Sequence, residues 1–573
     1  MRYRSTRGKS TNLSFEEAVF EGLATDGGLY IPHHVPTVPL SEILSWADLP
    51  FPKLAAKIFR KFIAEQEIPD KDLEDILTRS FATFSTPEVT PLTKLPNVRP
   101  ELGNHNFDNL YVLELFRGPT FAFKDVALQV LGNLFEYFLA RRNRGSVEQY
   151  GITVLGATSG DTGGAAIYGL RGKKNVNVFI LHPKGRISPV QEQQMTSVLD
   201  ENVHNVAVEG TFDDCQDIVK TLFGDEPFRR RFHLAAINSI NWARILAQTT
   251  YYFYSYFTLL KRIGAPSGAT SYAALTKVQY SVPTGNFGDI LAGYYAVRMG
   301  LPIERLIVAT NENDILHRFF QTGRYEKKKA GSGDEEVRQT LSPAMDILVS
   351  SNFERLIWYL SRGDGRHTGA DAETEEKAQV ASATIAQWMS DLKAKGGFSV
   401  PEDVLARAKE VFSSFCTSDA QTTDAIQRYY HHQFSLPYEP TPSHAGADSG
   451  CPAYVLDPHT AVGVVAAENF IQNGGSATAY TICLSTASPG KFPEAVLKAI
   501  NENVPNTSLQ RGFKAVSYAD IAPRQLVELE GLPKRCVDIS TDGGKKELGL
   551  EGVRNTIEEK VGAGFPAVAA AKI

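Results

Sequence analysis

The sequence predicts an α/β fold with open, mostly parallel, twisted sheets that carry helices on both faces. Three observations indicate this class. From about residue 108, short apolar segments alternate with helical segments, a pattern typical of parallel strands joined by crossover helices. The apolar segments are nearly continuous, as expected for strands covered on both faces. Glycine-rich turns follow two of these segments, at the ends where α/β proteins bind ligands.

The predicted elements follow one another along the chain. Strands are predicted at residues 110–115, 152–155, 176–181, 203–208, 278–282, 306–309 and 478–484. Helices are predicted at residues 41–46, 72–80, 126–139, 162–170, 215–222, 245–260 and 289–299. Solvated loops are predicted in three segments rich in small, charged or proline residues, namely 325–336, 361–377 and 437–450.

The length of 573 residues is sufficient for several domains. We predict two α/β domains, preceded by an N-terminal mixed helical unit and followed by a tail. The boundaries are 1–105 for the N-terminal unit, 106–140 and 240–535 for the large cofactor-binding domain, 141–239 for the small domain and 536–573 for the tail.

The composition argues against several classes of partner. The net charge of -6, from 59 Lys and Arg against 65 Asp and Glu, disfavours nucleic acid. No apolar segment reaches the roughly 18 residues of a membrane helix, so no membrane partner is expected. The five scattered cysteines fit a reducing compartment, and we expect a cytoplasmic protein. A monomer and a homodimer both remain open.

Lys124 is the first candidate for chemistry. It lies between a predicted strand and a predicted helix, where the helix dipole disfavours a cation. Phe121 and Phe123 are close in sequence, and aromatic neighbours can lower the pKa of an amine, as an imine-forming lysine requires. Asp125 is predicted to cap the helix. The alternative is an ordinary surface lysine near a helix start.

Two glycine-rich turns between a strand and a helix predict anion sites. Residues 156–164 read Gly-Ala-Thr-Ser-Gly-Asp-Thr-Gly-Gly, and residues 283–289 read Pro-Thr-Gly-Asn-Phe-Gly-Asp. Backbone N–H groups at a helix start attract a carboxylate or a phosphate, and glycine allows close approach. The first turn lacks the lysine of a P-loop. A plain tight turn is the alternative for it.

A pair of hydroxyl residues, Ser485 and Thr486, ends the last predicted strand. A reactive lysine, two anion sites and this pair are what a pyridoxal phosphate site needs: an imine-forming amine, a phosphate cup, a partner for the pyridine nitrogen and a carboxylate clamp. No metal-ligand pattern competes, because the histidine pairs at 33–34 and 431–432 are adjacent and face apart on regular elements.

Motifs over most of the chain carry a family resemblance. They lie at residues 3–8, 26–32, 118–125, 158–163, 182–189, 238–244, 283–289, 342–347 and 484–487. In this set the chain resembles the fungal-type threonine synthases, a pyridoxal phosphate-dependent family with the tryptophan synthase β-like fold, known as fold type II. The resemblance extends to about residue 500, and the segment from about 535 is the least similar part.

The resemblance implies a role for each candidate residue. Lys124 binds the cofactor covalently and later moves protons. The cofactor phosphate is held or flanked by Gly285, Asn286, Phe287, Gly288 and Asp289, and the pyridine nitrogen faces Thr486. The substrate carboxylate is bound by Thr158, Ser159 and Thr162, with Asp161 near the ring oxygen of the cofactor. The candidates for binding the substrate phosphate are Ser239, Asn241 and Arg244.

The resemblance also implies a reaction. O-phospho-L-homoserine and water would give L-threonine and phosphate by γ-elimination and β-addition of water, the last step of threonine biosynthesis. The alternative within the fold is a phospho-lyase similar to threonine synthase, which eliminates phosphate without adding water. The alternative from another class is a non-catalytic protein or nucleotide binder that uses the two glycine-rich turns, and in which Lys124 has no chemical role.

Overall fold

The computed structural model describes residues 1–100, 107–265, 276–327, 337–367, 374–434, 453–473 and 478–565. The strands are β1 Tyr3–Ser5, β2 Tyr30–Pro32, β3 Leu92–Lys94, β4 Leu110–Glu114, β5 Ile152–Ala157, β6 Val176–Pro183, β7 Val203–Val208, β8 Leu234–Ala236, β9 Val278–Pro283, β10 Ile303–Thr310, β11 Arg324–Glu326, β12 Gly397–Ser399, β13 Phe412–Cys416, β14 Tyr480–Ser485 and β15 Val537–Ile539.

The α-helices alternate with these strands through most of the chain. They are α1 Phe15–Glu21, α2 Leu40–Ser45, α3 Phe51–Phe62, α4 Asp70–Phe81, α5 Lys124–Arg142, α6 Asp161–Leu170, α7 Pro189–Thr196, α8 Phe212–Gly224, α9 Glu226–Arg231, α10 Trp242–Arg262, α11 Gly288–Met299, α12 Ile315–Thr322, α13 Phe353–Arg362, α14 Glu375–Lys395, α15 Glu402–Val411, α16 Asp419–His431, α17 Pro458–Gln472, α18 Pro493–Asn501, α19 Asn506–Gln510, α20 Tyr518–Ile521, α21 Arg524–Val527 and α22 Lys546–Val561.

Two parallel sheets organise the chain. The larger sheet has the strand order β13-β10-β9-β14-β4-β3, and β3 at its edge runs antiparallel to β4. The smaller sheet has the order β15-β7-β6-β5-β8 with parallel pairing throughout. Short antiparallel pairs join β1 to β2 and β11 to β12. Parallel neighbours need crossover connections, which the helices supply. The predicted α/β class is confirmed.

The predicted strands and helices are present, with small shifts at their ends. The strand predicted at 203–208 coincides with β7, and the one predicted at 306–309 lies within the longer β10. Strands β4 and β9 are buried along their whole length, which explains why their apolar runs do not alternate. The segment 245–260 lies within the largely buried α10. Among the described residues, no helix combines the length and the apolar character needed to cross a membrane.

The first residues of the chain anchor helix α13. Tyr3 is fully buried, and its hydroxyl donates to the Phe62 carbonyl at 2.6 Å. The Thr6 hydroxyl donates to the Glu354 carboxylate at 2.6 Å, and Arg7 donates to the same carboxylate through Nε at 3.1 Å and Nη2 at 2.9 Å. Because Glu354 lies in the first turn of α13, these contacts fix the helix that begins after Asn352, whose N–H donates to the Asn286 carbonyl.

The prediction of solvated loops is wrong in part. Tyr325 is buried in β11, while residues 328–336 and 437–450 lie outside the described residues. In the second segment, Arg362 and Asp364 are buried, and the Asp364 carboxylate pairs with Arg362 at 2.7 Å and with Arg298 at 3.1 Å. A charged segment is exposed to solvent only when its charges have no partners in the core. Here the partner, Arg298, lies far away in sequence, so the segment alone does not reveal the pairing.

Two strands lie outside the segments that the sequence assigns to the two sheets. Strand β3 precedes residue 105 and forms the antiparallel edge of the larger sheet. Strand β15 belongs to the predicted tail and pairs with β7 in the smaller sheet. Helix α22 packs its buried Val553 and Ile557 against the same sheet. The domain boundaries themselves remain a prediction.

Candidate active site

The predicted site residues follow the carboxyl ends of neighbouring strands. In the larger sheet β14 lies between β4 and β9. Strand β4 leads to Lys124, β14 is followed by Thr486, and β9 leads to the turn at Phe287. The backbone N–H of Phe123 donates to the Thr486 carbonyl at 2.8 Å, which ties the lysine loop to the hydroxyl loop. In the smaller sheet, β5 leads to Asp161 at the start of α6. The candidate site therefore lies at the carboxyl edges of both sheets, where open α/β sheets bind ligands.

Two glycines bring helices α5 and α6 together. A Cβ on Gly132 would lie 1.9 Å from the Gly169 carbonyl oxygen, and a Cβ on Gly169 would lie 2.5 Å from the Leu128 carbonyl oxygen. Any side chain at either position would force the helices apart. Because Lys124 is the first residue of α5 and Asp161 is the first residue of α6, this close packing sets the distance between the two side chains.

Lys124 lies in a buried cluster of charges. Its Nζ is 3.4 Å from Asp161 Oδ2, while Lys491 Nζ is 2.7 Å from Asp161 Oδ1. Burial lowers the pKa of the Lys124 amine; the carboxylate of Asp161 opposes this shift, and the charges of Lys491 and Arg244 add to it. Burial alone would raise the pKa of Asp161, but the two lysines outweigh burial and hold that pKa well below its usual range. Lys124 is therefore the group of the cluster that can most easily be a free amine.

Asp125 does not cap helix α5. It is the second residue of the helix, and its carboxylate accepts from the Thr120 N–H at 2.8 Å and from the Thr120 hydroxyl at 2.6 Å. Burial raises its pKa to about 6. The carboxylate therefore closes the loop before Lys124 onto the helix, and the prediction of an N-cap is replaced by this tighter turn.

The turn at residues 156–164 is held together by the side chain of its own Thr158. The Thr158 hydroxyl accepts from the N–H groups of Gly160 at 3.0 Å and Gly163 at 2.9 Å. Gly160 has a φ of +142°, and a Cβ there would lie 2.1 Å from the side chain of Gln191. Ser159 is exposed. Thr158 thus supports the turn, whereas the hydroxyls of Ser159 and of the half-buried Thr162 make no hydrogen bond to a described residue.

The turn at residues 283–289 leaves its backbone donors open. The carbonyl of Asn286 accepts from the Asn352 N–H and from Asn352 Nδ2, both at 3.0 Å, which holds the turn from outside. Within the described part of the chain, the N–H groups of Phe287, Gly288 and Asp289 donate to no acceptor. Several free donors at the start of a helix form a site for an anion such as phosphate.

The left-handed residue of this turn is Phe287, not glycine. Its φ is +62°, and it precedes the first residue of α11. A Cβ on Gly288 would make only ordinary contacts, 3.4 Å from Asn352 Nδ2 and 3.5 Å from Ile245 Cδ1. A Cβ on Gly285 would be tighter, at 3.1 Å from the Ala344 carbonyl oxygen. Packing within the protein therefore does not require glycine at position 288. A ligand that approaches the backbone there would explain the glycine.

Asp289 is a buried carboxyl at the start of α11. Its Oδ1 accepts from the hydroxyls of Tyr251 at 2.5 Å and Tyr252 at 3.1 Å, while Oδ2 has no partner among the described residues. Burial raises the pKa of Asp289 to about 7, against the two tyrosine hydrogen bonds that lower it. Near neutral pH this carboxyl is close to balanced between its charged and uncharged forms.

The residues predicted to bind the substrate phosphate differ in whether their polar groups already have hydrogen-bond partners in the protein. Asn241 caps α10, since its Oδ1 accepts from the Ala243 N–H at 3.1 Å and its Nδ2 donates to the Val19 carbonyl at 2.8 Å. Arg244 is buried, and its Nε and Nη1 have no partner among the described residues. Burial lowers the pKa of Arg244 to about 10. Ser239 accepts from Asn352 through its carbonyl, and its hydroxyl makes no hydrogen bond to a described residue. A buried guanidinium without a carboxylate is the strongest indication of an anion site.

Thr486 is buried, and its hydroxyl makes no hydrogen bond within the described part of the chain. The preceding Ser485 is different, because its hydroxyl lies 3.0 Å from that of Thr460. Of the predicted pair, Thr486 is therefore the hydroxyl that is available to a ligand.

Three residues next to Asp161 were not predicted. Lys491 is fully buried, and Gln191 donates to Asp161 Oδ1 at 2.9 Å. His459 accepts from the Ala344 N–H through Nε2 at 3.1 Å, so its Nδ1 carries the hydrogen that is donated to Asp457. A lysine after a Pro-Gly turn looks solvent-exposed in the sequence, and no local pattern reports a partner this distant.

No group of three or more His, Cys, Asp or Glu side chains in the described ranges could hold a metal ion. The chemistry supported by the site is that of a free amine surrounded by groups that bind anions.

Family models match most of the chain. The threonine synthase N terminus matches residues 2–81, the pyridoxal-phosphate dependent enzyme family matches residues 84–399, and the C-terminal region of threonine synthase matches residues 460–547. The threonine synthase of Saccharomyces cerevisiae is 48% identical over 564 residues, which cover 98% of this chain and 98% of that protein.

Solved structures agree with these matches. The crystal structure of threonine synthase from yeast superposes with a TM-score of 0.82 at 47% identity, covering 97% of this chain and 98% of that chain. The pyridoxal phosphate-bound threonine synthase from Brucella melitensis superposes with a TM-score of 0.76 at 37% identity, covering 98% and 99%. This chain therefore belongs to the threonine synthase family of pyridoxal phosphate-dependent enzymes.

Proposed function

We propose that this enzyme converts O-phospho-L-homoserine and water to L-threonine and phosphate, as the last step of threonine biosynthesis. The observation that carries the proposal is the buried Lys124 amine, whose pKa is lowered, next to the unpaired guanidinium of Arg244. A reactive amine beside an unsatisfied cation suits a cofactor aldehyde and a substrate that carries a phosphate.

Pyridoxal phosphate fits the residues present. Its aldehyde needs the uncharged amine of Lys124, and its phosphate suits the free N–H groups from Phe287 to Asp289. Its pyridine nitrogen suits the unpaired hydroxyl of Thr486. When bound, the cofactor delocalises the negative charge that develops on the substrate carbons.

The substrate would lie between the starts of α6 and α10. We assign its carboxylate to the hydroxyls of Ser159 and Thr162 at the α6 start, and its phosphate to Arg244 with the hydroxyl of Ser239. Thr158 shapes the first turn, and Asn241 fixes the helix that carries Arg244. Asp161, held by Lys491, lies beside Lys124 and is the group we place near the ring oxygen of the cofactor.

Lys124 also suits the proton transfers of the reaction. Protons must be removed from Cα and then from Cβ of the substrate. Protons must also be delivered to the substrate after phosphate has left. A single amine on a flexible four-carbon side chain reaches neighbouring atoms, and a lowered pKa increases the share of uncharged amine that can accept a proton.

The test is product analysis with the purified enzyme, pyridoxal phosphate and O-phospho-L-homoserine. We expect threonine and phosphate in equal amounts. Phosphate accompanied by 2-oxobutyrate instead of threonine would establish the phospho-lyase alternative. A protein that gives neither product, and lacks the visible absorbance of a lysine-bound cofactor, would favour the non-catalytic binder.

We also propose a cytoplasmic location, with either a monomer or a homodimer as the active form. Among the described residues, Cys215, Cys483 and Cys536 are free thiols, which suits a reducing compartment. Cell fractionation and light scattering of the purified protein test the two statements.

A further inference from the structure

Lys491 is the most completely buried cation at the candidate site. It ends the short turn Pro489–Lys491, and its exposed fraction is 0%. Its Nζ lies 2.7 Å from Asp161 Oδ1 and donates to the Thr120 carbonyl at 3.0 Å. A buried ammonium is costly unless it is paired and hydrogen-bonded, and both conditions are met here.

The contacts of the two lysines are unequal. Lys491 has the shorter contact to Asp161 and a carbonyl that can only accept a hydrogen bond. Lys124 has the longer contact, 3.4 Å to Oδ2, and makes no other polar contact to a described residue. Gln191 also donates to Oδ1, so the carboxylate is fixed at that oxygen, away from Lys124. The geometry therefore gives the positive charge of the pair to Lys491.

The charges around this cluster are few. One carboxylate, Asp161, serves two lysines, and a further cation lies nearby. The titratable groups that face the cluster are Asp161, Lys491, Lys124, Arg244, His459 and Asp125. If both lysines were protonated, the buried cluster would carry unbalanced positive charge. Of the two lysines, Lys124 loses a proton at the lower cost, because it has fewer hydrogen-bond partners than Lys491.

We infer that Lys491 is a positioning residue whose permanent ammonium neutralises and orients Asp161, and thereby leaves Lys124 as the uncharged amine of the site. This inference rests on the proposed function, in which Lys124 must react with the aldehyde of the cofactor. Without the ammonium of Lys491, the Asp161 carboxylate would be free to pair with Lys124 and hold it in the protonated form.

The test measures the Lys124 amine in the apoenzyme. The variants are Lys491→Met, which removes the charge and keeps the length, and Lys491→Arg, which keeps the charge. Trace acylation with an isotope-labelled anhydride over a range of pH, followed by mass spectrometry of the peptide that contains Lys124, gives the apparent pKa of that amine. The exposed Lys184 in the same digest is the internal control.

We expect Lys491→Met to raise the apparent pKa of Lys124 by about one unit, so that labelling near neutral pH slows about tenfold. Lys491→Arg should restore the wild-type profile at least in part. An unchanged Lys124 profile in Lys491→Met, or an arginine variant that behaves like methionine, would overturn the inference. If the methionine variant does not fold, Lys491→Gln, which keeps a donor for the Thr120 carbonyl, carries the same test with the same expected shift.

The readout is independent of threonine formation. If the wild-type enzyme made no threonine while Lys491→Met still slowed labelling of Lys124, the proposed function would be wrong and the role of Lys491 would stand. If the wild-type enzyme made threonine and the labelling profile did not respond to Lys491, the proposed function would stand and this inference would fail.

Discussion

The two glycine-rich turns look alike in sequence but differ in structure. Both connect a strand to a helix and place an aspartate at the helix start, Asp161 in α6 and Asp289 in α11. In the first turn, the hydroxyl of Thr158 occupies two N–H groups, and protein atoms fill the space beside its glycines. In the second turn, the N–H groups from Phe287 to Asp289 donate to no described residue.

The two aspartates differ in the same way. Asp161 is tied to Lys491 and Lys124, and these cations hold its pKa low despite burial. Among the described residues, the Asp289 carboxylate has only tyrosine hydroxyls as partners, and burial raises its pKa to about 7. The comparison teaches that the α6 start has its backbone donors partly occupied and a fixed charge, whereas the α11 start keeps several N–H donors without a described acceptor. Sequence similarity between the turns does not predict this difference.

The largest effect is expected at Lys124. Lys124→Ala should reduce threonine formation by more than about three orders of magnitude, because the amine proposed to bind the cofactor covalently is lost. Lys124→Arg should not restore activity, since a guanidinium stays protonated. The assay is threonine formation, and circular dichroism checks the fold. Turnover of Lys124→Ala near the wild-type rate would remove Lys124 from the mechanism.

The next effect is expected at Arg244. Arg244→Leu should lower kcat/KM for O-phospho-L-homoserine about 100-fold, because a buried charge-assisted contact to phosphate is lost. The same variant should raise the melting temperature of the apoenzyme, since it removes a buried guanidinium whose Nε and Nη1 have no partner. Arg262→Leu, at the exposed far end of α10, is the matched control. A less stable apoenzyme with unchanged kcat/KM would show that Arg244 is structural.

Much of the fold follows directly from the sequence. Strands β4 and β9 are apolar along their length because both of their faces are covered, and this pattern is visible without a structure. Lys124 was found because its aromatic neighbours and its place between a strand and a helix are local features. Such signals lie within a few residues of one another, so a single sequence contains them.

Features that depend on distant partners were missed. Lys491 pairs with Asp161 from the other α/β sheet, and Asp364 pairs with Arg298 in the core. Each of these charges looks solvated when only its neighbours in sequence are considered. The left-handed conformation in the second turn occurs at Phe287 and not at a glycine, and the Phe287 ring packs 5.3 Å from that of Phe353. Tertiary packing fixed this backbone, and local propensity does not report it.

A pair of glycine variants sharpens the comparison of the two turns. A Cβ on Gly163 would lie 2.5 Å from Thr158 Cγ2 and 2.7 Å from Met195 Sδ. We expect Gly163→Ala to lower the free energy of unfolding by about 1–3 kcal/mol through overpacking. Gly288→Ala should leave the apoenzyme stable and raise the cofactor dissociation constant about tenfold, because the methyl group would lie where the phosphate approaches.

Thermal unfolding of the apoenzyme and cofactor titration, applied to both variants, separate the two effects. The reverse result, in which Gly288→Ala unfolds easily and Gly163→Ala binds cofactor weakly, would exchange the roles assigned to the two turns. Gly185→Ala, in open space but with a positive φ of +68°, shows how much backbone strain alone costs.

The smallest effect concerns the pH dependence of stability and distinguishes the two aspartates. A carboxyl whose pKa rises on folding, as that of Asp289 does from 3.8 to about 7, costs nothing at low pH, and its cost grows as pH rises through this interval. The variant Asp289→Asn keeps a neutral group at every pH. Wild-type apoenzyme should therefore lose about 2 kcal/mol relative to Asp289→Asn between about pH 5.5 and about pH 8.5.

For Asp161→Asn, the difference in stability from the wild type should depend on pH with the opposite sign. The pKa of Asp161 is lowered on folding, so its ionised form contributes stability above the unfolded value, and this contribution is lost only as pH falls towards the folded value. Asp161→Asn should accordingly be less stable than wild type near neutral pH, with a deficit that shrinks in acid. Urea unfolding of the three apoenzymes from about pH 3 to about pH 8.5 measures both slopes, because the contribution of Asp161 changes only in acid, below its unfolded pKa. Two variants with slopes of the same sign would contradict the distinction between a fixed charge at α6 and an uncommitted carboxyl at α11.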